Sequence, residues 1–250
     1  LREQAAYCRL FGSPFTLELL DRCVEDFEAG GPIADLIGDW PTNPRADALA
    51  LRLAGALHAA VLMRKDETLA ALYPPAKSDW RMDEIWPVAR AFLAREHDWV
   101  ARFIQSPPQT NETRRSIALL ACFLAFAETH GRPMDILELG ASAGLNLNWD
   151  RFRYETSTWS WGAPGSPVAI TTDWNAPVPA IEAALKVRNR AACDQNPLDL
   201  SDTQQRLQLR SYVWPDQPDR PVSPCPQANR EAPRSHARWH TAIGLQVNGY

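Results

Sequence analysis

A carboxylate, two glycines, a serine and an asparagine follow one another closely in the middle of the chain. They occur in the segment Glu-Leu-Gly-Ala-Ser-Ala-Gly-Leu-Asn as Glu138, Gly140, Ser142, Gly144 and Asn146. Glycines separated by small residues allow a backbone to turn sharply and to approach a ligand closely. Carboxylate, hydroxyl and amide groups beside such a turn can hydrogen-bond a bound molecule. The spacing therefore indicates a ligand-binding turn.

The residues before this turn predict the element that positions it. Ile136, Leu137 and Leu139 are apolar and follow two helix-breaking residues, Gly131 and Pro133. A short apolar run bounded by such residues predicts a buried strand. The residues after the turn can begin a helix. Strand, glycine-rich turn and helix together are typical of the nucleotide site of an open parallel sheet.

One interpretation makes this segment a cofactor-binding turn. Backbone N–H groups and a helix N-terminus would point into the crevice at the end of the strand. The spacing Glu-x-Gly-x-x-x-Gly-x-Asn, which starts at Glu138, resembles the first motif of S-adenosylmethionine-dependent methyltransferases. In that family the turn approaches the methionine and ribose parts of the cofactor, and the acidic residue helps to position its amino group. The resemblance implies an adenosine-type cofactor, S-adenosylmethionine, and methyl transfer.

Two other interpretations fit the same turn. Residues 140–144 match G-x-S-x-G, which would make Ser142 the nucleophile of an α/β-hydrolase. That elbow normally follows several strands, whereas residues 1–131 show helical periodicity, and the triad needs a histidine after the serine. Only His236 and His240 follow Ser142. In the third interpretation the glycines serve packing alone, in a Rossmann-like binding module without catalysis.

A second acidic position follows roughly fifty residues later. Asp194 comes after a stretch of small residues, and Asn196-Pro197 then predicts a turn. This resembles the second methyltransferase motif, in which a carboxylate after the second strand accepts hydrogen bonds from both ribose hydroxyls. The separation exceeds that of a minimal βαβ unit, and we expect an inserted β-hairpin at residues 151–174 to account for it. The alternative is that Asp194 only caps a turn.

The remaining elements follow from periodicity and from breaker residues. Apolar residues recur at helical spacing through residues 1–131, including one long helix from Asp83 to Phe103. Asp199 and Asp202 can cap a helix that carries residues 204–209. The apolar residues between Leu207 and Trp214 suggest another strand.

Composition limits the class of protein. The chain has 250 residues and a formal net charge of −4, and no basic stripe favours nucleic acid as a partner. Its longest apolar run, residues 117–127, is too short for a bilayer, which needs ~20 residues. The five cysteines are scattered without a C-x-x-C pair, which argues against a disulfide framework or a zinc site. We therefore expect a cytoplasmic protein without a membrane partner.

Several blocks of the chain resemble a bacterial family, DUF2332. The matching blocks begin at Arg2 and extend to Gln217; they are Arg2-x-Gln4-Ala5, Gly12-Ser13-Pro14, residues 138–147, Asp150-Arg151-Phe152-Arg153-Tyr154, residues 194–199 and residues 212–217. The resemblance implies a methyltransferase-type Rossmann sheet and no particular activity. After residue 217 the chain becomes rich in Pro, Arg, Ser and Gln, a composition typical of disorder. We expect a non-matching tail there, such as a shifted reading frame would produce.

The sequence thus predicts an α/β protein with a helical N-terminal region and a partial Rossmann-like sheet carrying an inserted β-hairpin. The predicted boundaries are 1–131 for the helical region, 132–217 for the sheet domain and 218–250 for the tail. The expected ligand is a small-molecule cofactor, S-adenosylmethionine, and the patterns assign no catalytic residue and no methyl acceptor. The predicted cofactor-binding residues are Glu138, Gly140, Ala141, Ser142, Gly144, Asn146 and Asp194.

Overall fold

A computed structural model of the chain describes residues 1–109 and 112–217. About 49% of the chain is helix and about 10% is strand, so the protein is mixed α/β with a helical N-terminus, as predicted. The described residues divide into two compact units. The first contains residues 1–109 together with 203–217, and the second contains residues 112–202. The predicted tail at 218–250, with His236 and His240, lies outside the described residues.

The first unit is helical throughout its described part. The predicted single helix from Asp83 to Phe103 is in fact two helices, because the backbone leaves helical geometry at Glu96, where φ is −104° and ψ is 26°. The helices before residue 109 are α1 (Arg2–Leu10), α2 (Pro14–Glu28), α3 (Pro32–Ile37), α4 (Leu49–Leu62), α5 (Glu67–Leu72), α6 (Met82–Arg95) and α7 (His97–Phe103).

Helix α2 shows why these elements form where the sequence predicts them. Ser13 is its N-cap and accepts a hydrogen bond from the Thr16 N–H, and Pro14 occupies the first helical position. Phe15, Leu19 and Cys23 recur every fourth residue and are buried in the core of this unit. The apolar stripe and the cap therefore both specify the same helix.

The segment 203–217 completes the helical unit from far along the chain. Helix α9 (Thr203–Ser211) packs on α4, and the strand predicted up to Trp214 is not formed. The Asp216 carboxylate accepts hydrogen bonds from the Ser13 hydroxyl at 2.6 Å and from the Phe15 N–H at 3.0 Å. These contacts over about 200 residues hold the segment in place, which local sequence patterns cannot predict.

The residue that follows α9 packs closely on α4 because α4 carries a glycine, Gly55, at the contact. A Cβ added to Gly55 would lie 2.6 Å from the ring of Tyr212. Three residues further along α4, the Nδ1 atom of His58 donates to the backbone oxygen of Ser211 at 3.1 Å. Burial lowers the pKa of His58 to about 4, so this histidine is neutral and structural near pH 7.

The second unit contains the strands of the described chain. Strand β1 (Met134–Leu139) pairs in parallel with β5 (Val187–Cys193), so that Leu139 lies opposite Cys193. Helix α8 (Ser116–His130) contributes Ile117, Leu120 and Leu124 to a core that also receives Ile136 from β1. No described residue covers the opposite face of β1, where Leu139 is 75% exposed, so β1 is not the buried strand that its apolar run predicts.

The insertion between these strands has one strand more than the single hairpin predicted for residues 151–174. Strands β2 (Arg153–Glu155) and β3 (Ser160–Trp161) do form an antiparallel pair, but β4 (Ala169–Thr171) joins β2 in parallel. The result is a three-stranded sheet in the order β3-β2-β4. The parallel pairing is non-local, whereas turn residues predict only neighbouring strands.

The connection from β1 to β5 differs from an ordinary βαβ crossover. All of residues 140–186 are described, and they contain one seven-residue 3-10 helix (Leu145–Arg151) and the three-stranded sheet, without an α-helix. Two parallel strands with this connection do not establish a methyltransferase-type Rossmann sheet. Among the described residues, no helix has the length and apolar character needed to cross a membrane.

Candidate functional site

The carboxyl ends of β1 and β5 lie side by side, and the glycine turn begins at this edge. The Gly140 N–H donates to the Cys193 backbone oxygen at 2.9 Å, and the Ala141 N–H donates to the same oxygen at 3.2 Å. The parallel register therefore brings the turn after β1 next to the residue after β5, which is Asp194. Ligands of open parallel sheets bind at such strand ends.

Asp194 holds the turn directly. Its Oδ2 atom accepts a hydrogen bond from the Ser142 N–H at 2.6 Å, and its Oδ1 atom accepts one from the Asn196 N–H at 2.8 Å. The Leu198 N–H donates to the Ser142 backbone oxygen at 3.3 Å. Two predicted site residues separated by 52 positions are thus in direct contact.

The backbone of the turn takes the left-handed conformation three times. The φ angles are 69° at Gly140, 52° at Ser142 and 68° at Gly144. A Cβ added to Gly140 would meet nothing within 4 Å, and at Gly144 only Leu147 comes as near as 3.9 Å. The two glycines are therefore needed for their conformation, since left-handed backbone is costly for other residues.

Three side chains at the turn keep a buried polar atom without a hydrogen-bond partner among the described residues. They are the Oε2 atom of Glu138, the Oγ atom of Ser142 and the Oδ1 atom of Asn146. Ser142 and Asn146 are only 8% and 5% exposed. An unpaired buried polar group costs about 1–3 kcal/mol, so a ligand that supplied donors would recover that energy.

Burial of Glu138 disfavours its ionised form. Burial raises the pKa of Glu138 above its ordinary value of 4.5, the negative charge of Asp194 raises it further, and the guanidinium of Arg115 opposes both effects. A cation placed between the two carboxylates would relieve this repulsion. The turn thus combines an unpaired acidic acceptor with a second carboxylate.

An ion pair secures the 3-10 helix that follows the turn. Arg190 of β5 donates to both carboxylate oxygens of Asp150, at 3.0 and 2.7 Å, and to the Leu147 backbone oxygen at 3.2 Å. The sequence patterns assign neither Arg190 nor Arg115 to the site. The feature of the sequence that indicates a role for Arg190 is a charged residue inside a strand. Such a residue needs a partner when the strand is covered.

The structure therefore brings the predicted residues to one edge of the two-stranded sheet. Glu138 ends β1 with Leu139, residues 140–144 form the turn, Asn146 lies in the 3-10 helix and Asp194 follows β5. The elements of a hydrolase triad do not assemble in the described chain, because the Ser142 hydroxyl contacts no histidine there.

Comparison with known proteins gives a family and no function. No curated protein matches the chain, and no solved structure does. The profile of a family described as "Uncharacterized protein conserved in bacteria (DUF2332)" matches residues 1–223. This match includes both units and the whole candidate site. The chain therefore belongs to the bacterial family DUF2332.

Proposed function

We propose that the turn between β1 and the 3-10 helix binds an adenosine-type cofactor, S-adenosylmethionine, and that the protein is a cytoplasmic methyltransferase-like enzyme. One observation carries the proposal. Unpaired buried polar atoms of Glu138, Ser142 and Asn146 occur together at the end of β1, where the turn also contacts Asp194. Positions that leave several polar groups unpaired are expected at functional sites.

The residues at the turn have the hydrogen-bonding capacity that this cofactor requires. The unpaired Oε2 of Glu138 can accept from the cofactor's amino group, and the amide of Asn146 can accept or donate. Each carboxylate oxygen of Asp194 already accepts one backbone N–H. Because an oxygen has more than one lone pair, each can still accept from a ribose hydroxyl.

The same geometry disfavours a ligand that would place a phosphate on the turn. The backbone N–H of Ser142, which a phosphate would need, already donates to the Asp194 carboxylate. Glu138 adds a second negative charge near the same place. A nucleoside with a cationic side chain suits this site better than a dinucleotide, whose pyrophosphate normally occupies such a turn.

S-adenosylmethionine supplies an activated methyl group on a positively charged sulfur. The task of the turn residues is then to bind the cofactor and to orient its methyl group toward an acceptor, which is catalysis by positioning. Glu138 fixes the amino end and Asp194 the ribose, so the two carboxylates hold the ligand at separate points.

Calorimetry with S-adenosylmethionine and with its demethylated product tests the proposal. We expect wild-type protein to bind at least one of the two, and Glu138→Gln to weaken binding about tenfold, because one charged contact is worth about 1.5–3 kcal/mol. Asp135→Asn is the matched control, since Asp135 lies on the same strand in an exposed ion pair with Arg188. Absence of heat with either compound contradicts the proposal.

Ser142 supports a second candidate, a serine hydrolase. Its φ of 52° places it in a strained strand-to-helix turn, as in a nucleophile elbow. Its buried hydroxyl and the absence of a base among its described contacts count against this function. Labelling by a fluorophosphonate probe that Ser142→Ala abolishes would favour the hydrolase over the methyltransferase.

A non-catalytic module is the remaining candidate. The hydrogen bonds from Ser142 and Asn196 to Asp194 stabilise the turn without any ligand. Purified protein that contains no cofactor, binds neither compound and captures a partner without added ligand would favour this interpretation.

A further inference from the structure

We propose that Arg190 is a positioning residue for the cofactor site, which it serves by fixing the 3-10 helix that carries Asn146. The inference rests on the proposed function and adds a residue outside the turn to it. Arg190 lies on β5, four residues before Asp194, and opposite Ile136 of β1. It is therefore anchored in the same pair of strands that ends at the site.

The contacts of Arg190 hold the 3-10 helix at two points, Leu147 and Asp150. Its guanidinium binds Asp150 through two nitrogens, at 3.0 and 2.7 Å, and one of these nitrogens also donates to the Leu147 backbone oxygen at 3.2 Å. A bidentate arginine–carboxylate ion pair fixes the orientation of the two groups as well as their distance. Leu147 is the neighbour of Asn146, so its backbone cannot shift without moving the asparagine.

Packing adds a second restraint at the same place. The Leu147 side chain lies in a small buried cluster with Ala141 of the turn and Ala192 of β5. The 3-10 helix is thus held to the strands by an apolar contact at Leu147 and by the ion pair at Asp150. Because a 3-10 helix has weaker internal hydrogen bonds than an α-helix, these outside contacts decide where Asn146 lies.

Burial distinguishes this ion pair from others in the unit. The side chains of Arg190 and Asp150 are 15% and 14% exposed, and burial raises the pKa of Asp150 while the charge of Arg190 opposes the rise. The pair formed by Arg188 and Asp135 on the same strands is 63% and 48% exposed. Arg188 therefore provides a matched control on the same strand.

The experiment is a double-mutant cycle measured by calorimetry with S-adenosylmethionine on the full chain. Arg190→Gln is expected to weaken binding about 3-fold to 10-fold, since it acts through Asn146 and one neutral hydrogen bond to a ligand contributes about that much. Arg188→Gln should stay within about twofold of wild type, as exposed pairs contribute little. If Arg190 acts through Asn146, adding Asn146→Ala to Arg190→Gln should cause no further loss.

The cycle also includes a variant whose effect should be independent of Arg190. Glu138→Gln affects a different contact, so its loss should multiply with that of Arg190→Gln. Thermal unfolding verifies that each variant is folded before titration. Should Arg190→Gln not fold, Arg190→Gln combined with Asp150→Asn takes its place, because the double change leaves no unpaired buried charge.

The possible results separate this inference from the function on which it rests. The inference is supported if the wild type binds, Arg190→Gln binds more weakly, and adding Asn146→Ala causes no further loss of affinity. The inference is overturned if Arg190→Gln binds with wild-type affinity. It is also overturned if the losses caused by Arg190→Gln and Asn146→Ala multiply. In both cases the proposed cofactor binding still stands. Failure of both Arg190 variants to fold shows a purely structural pair and overturns it too. No binding by wild type overturns the proposed function and the inference together.

Discussion

Two carboxylates, the buried Asp26 of the helical unit and the half-buried Glu138 of the sheet unit, have opposite surroundings. Asp26 accepts hydrogen bonds from the Ile33 N–H at 2.9 Å and from Nε of Arg90 at 2.5 Å. One oxygen of Glu138 has no donor among the described residues. Asp26 therefore joins α2 to the start of α3 and to α6, whereas Glu138 has capacity left for a partner that the chain does not supply.

Two further aspartates that bind backbone N–H groups, Asp216 and Asp194, extend this comparison. Asp216 caps α2 together with Ser13 in the helical unit, and Asp194 holds the glycine turn in the sheet unit. Asp216 fixes the N-terminus of a long helix. Asp194 fixes a left-handed turn beside unpaired polar atoms, so the same type of contact holds a helix in one unit and the candidate site in the other.

The largest effect is expected for the structural carboxylate. Asp26→Ala removes two charge-assisted hydrogen bonds from a side chain that is 3% exposed, and should lower the free energy of unfolding by about 3 kcal/mol. Urea denaturation measures the change. A loss below about 1 kcal/mol would contradict the structural role of Asp26.

Overpacking of the contact at Gly55 in the first unit should have a smaller effect. Gly55→Ala would place a methyl group 2.6 Å from the Tyr212 ring and should lower stability by about 2 kcal/mol. Gly165→Ala is the control, because a Cβ there meets nothing within 4 Å. Equal midpoints of denaturation for the two variants would show that segment 203–217 does not pack on α4 as described.

Some elements of the fold can be predicted from local sequence patterns, and others cannot. The helices of residues 1–109 follow from local apolar periodicity, and the strand and glycine turn follow from breaker residues around a short apolar run. The capping residues also predict a helix over residues 204–209, which α9 (Thr203–Ser211) confirms. The strand predicted from Leu207 to Trp214 is wrong, because the contacts of this segment with α4 lie more than 140 residues away in sequence. Such tertiary contacts override local preference.

The candidate site likewise has a part that the sequence predicts and a part that it does not. The turn residues have adjacent positions and were predictable, whereas the ion pair between Arg190 and Asp150 joins residues 40 positions apart. The parallel pairing of β2 with β4 is equally non-local. Parallel pairing and buried charge pairs depend on which segments meet, and a single sequence gives no distance between them.

The glycine turn should respond to changes in backbone conformation by about 1 kcal/mol. Gly144→Ala puts a side chain at a φ of 68° without a steric contact closer than 3.9 Å, so its cost is that of left-handed backbone alone. Ser142→Gly, at a φ of 52°, should not destabilise the fold. Thermal unfolding of both variants measures the difference, and a stable Gly144→Ala protein would contradict the assigned conformation.

The smallest effect on stability is expected at Glu138. Because burial raises its pKa in the folded state, ionisation of Glu138 disfavours folding, and the stability associated with the protonated form is lost as pH rises through that pKa. Glu138→Gln should therefore be as stable as wild type at pH 7 or slightly more so, within about 0.5 kcal/mol. The difference should vanish below pH 4.5, where Glu138 is protonated in both states.

Ligand binding should depend on pH in the opposite sense at the same residue. A cationic amino group needs the ionised carboxylate, so affinity should rise as pH increases through the raised pKa of Glu138. Glu138→Gln should remove this dependence. Titrations between pH 4.5 and 7.5 measure it, and an unchanged pH profile in the variant would exclude Glu138 as the acceptor.

The most direct measurement is an experimental structure of the protein with S-adenosylmethionine. Our account predicts that the ligand lies at the carboxyl ends of β1 and β5, with its amino group hydrogen-bonded to Oε2 of Glu138 and its ribose beside Asp194. A ligand bound elsewhere, or a donor from the protein itself on Oε2 of Glu138, would contradict the central claim that this turn is a cofactor site.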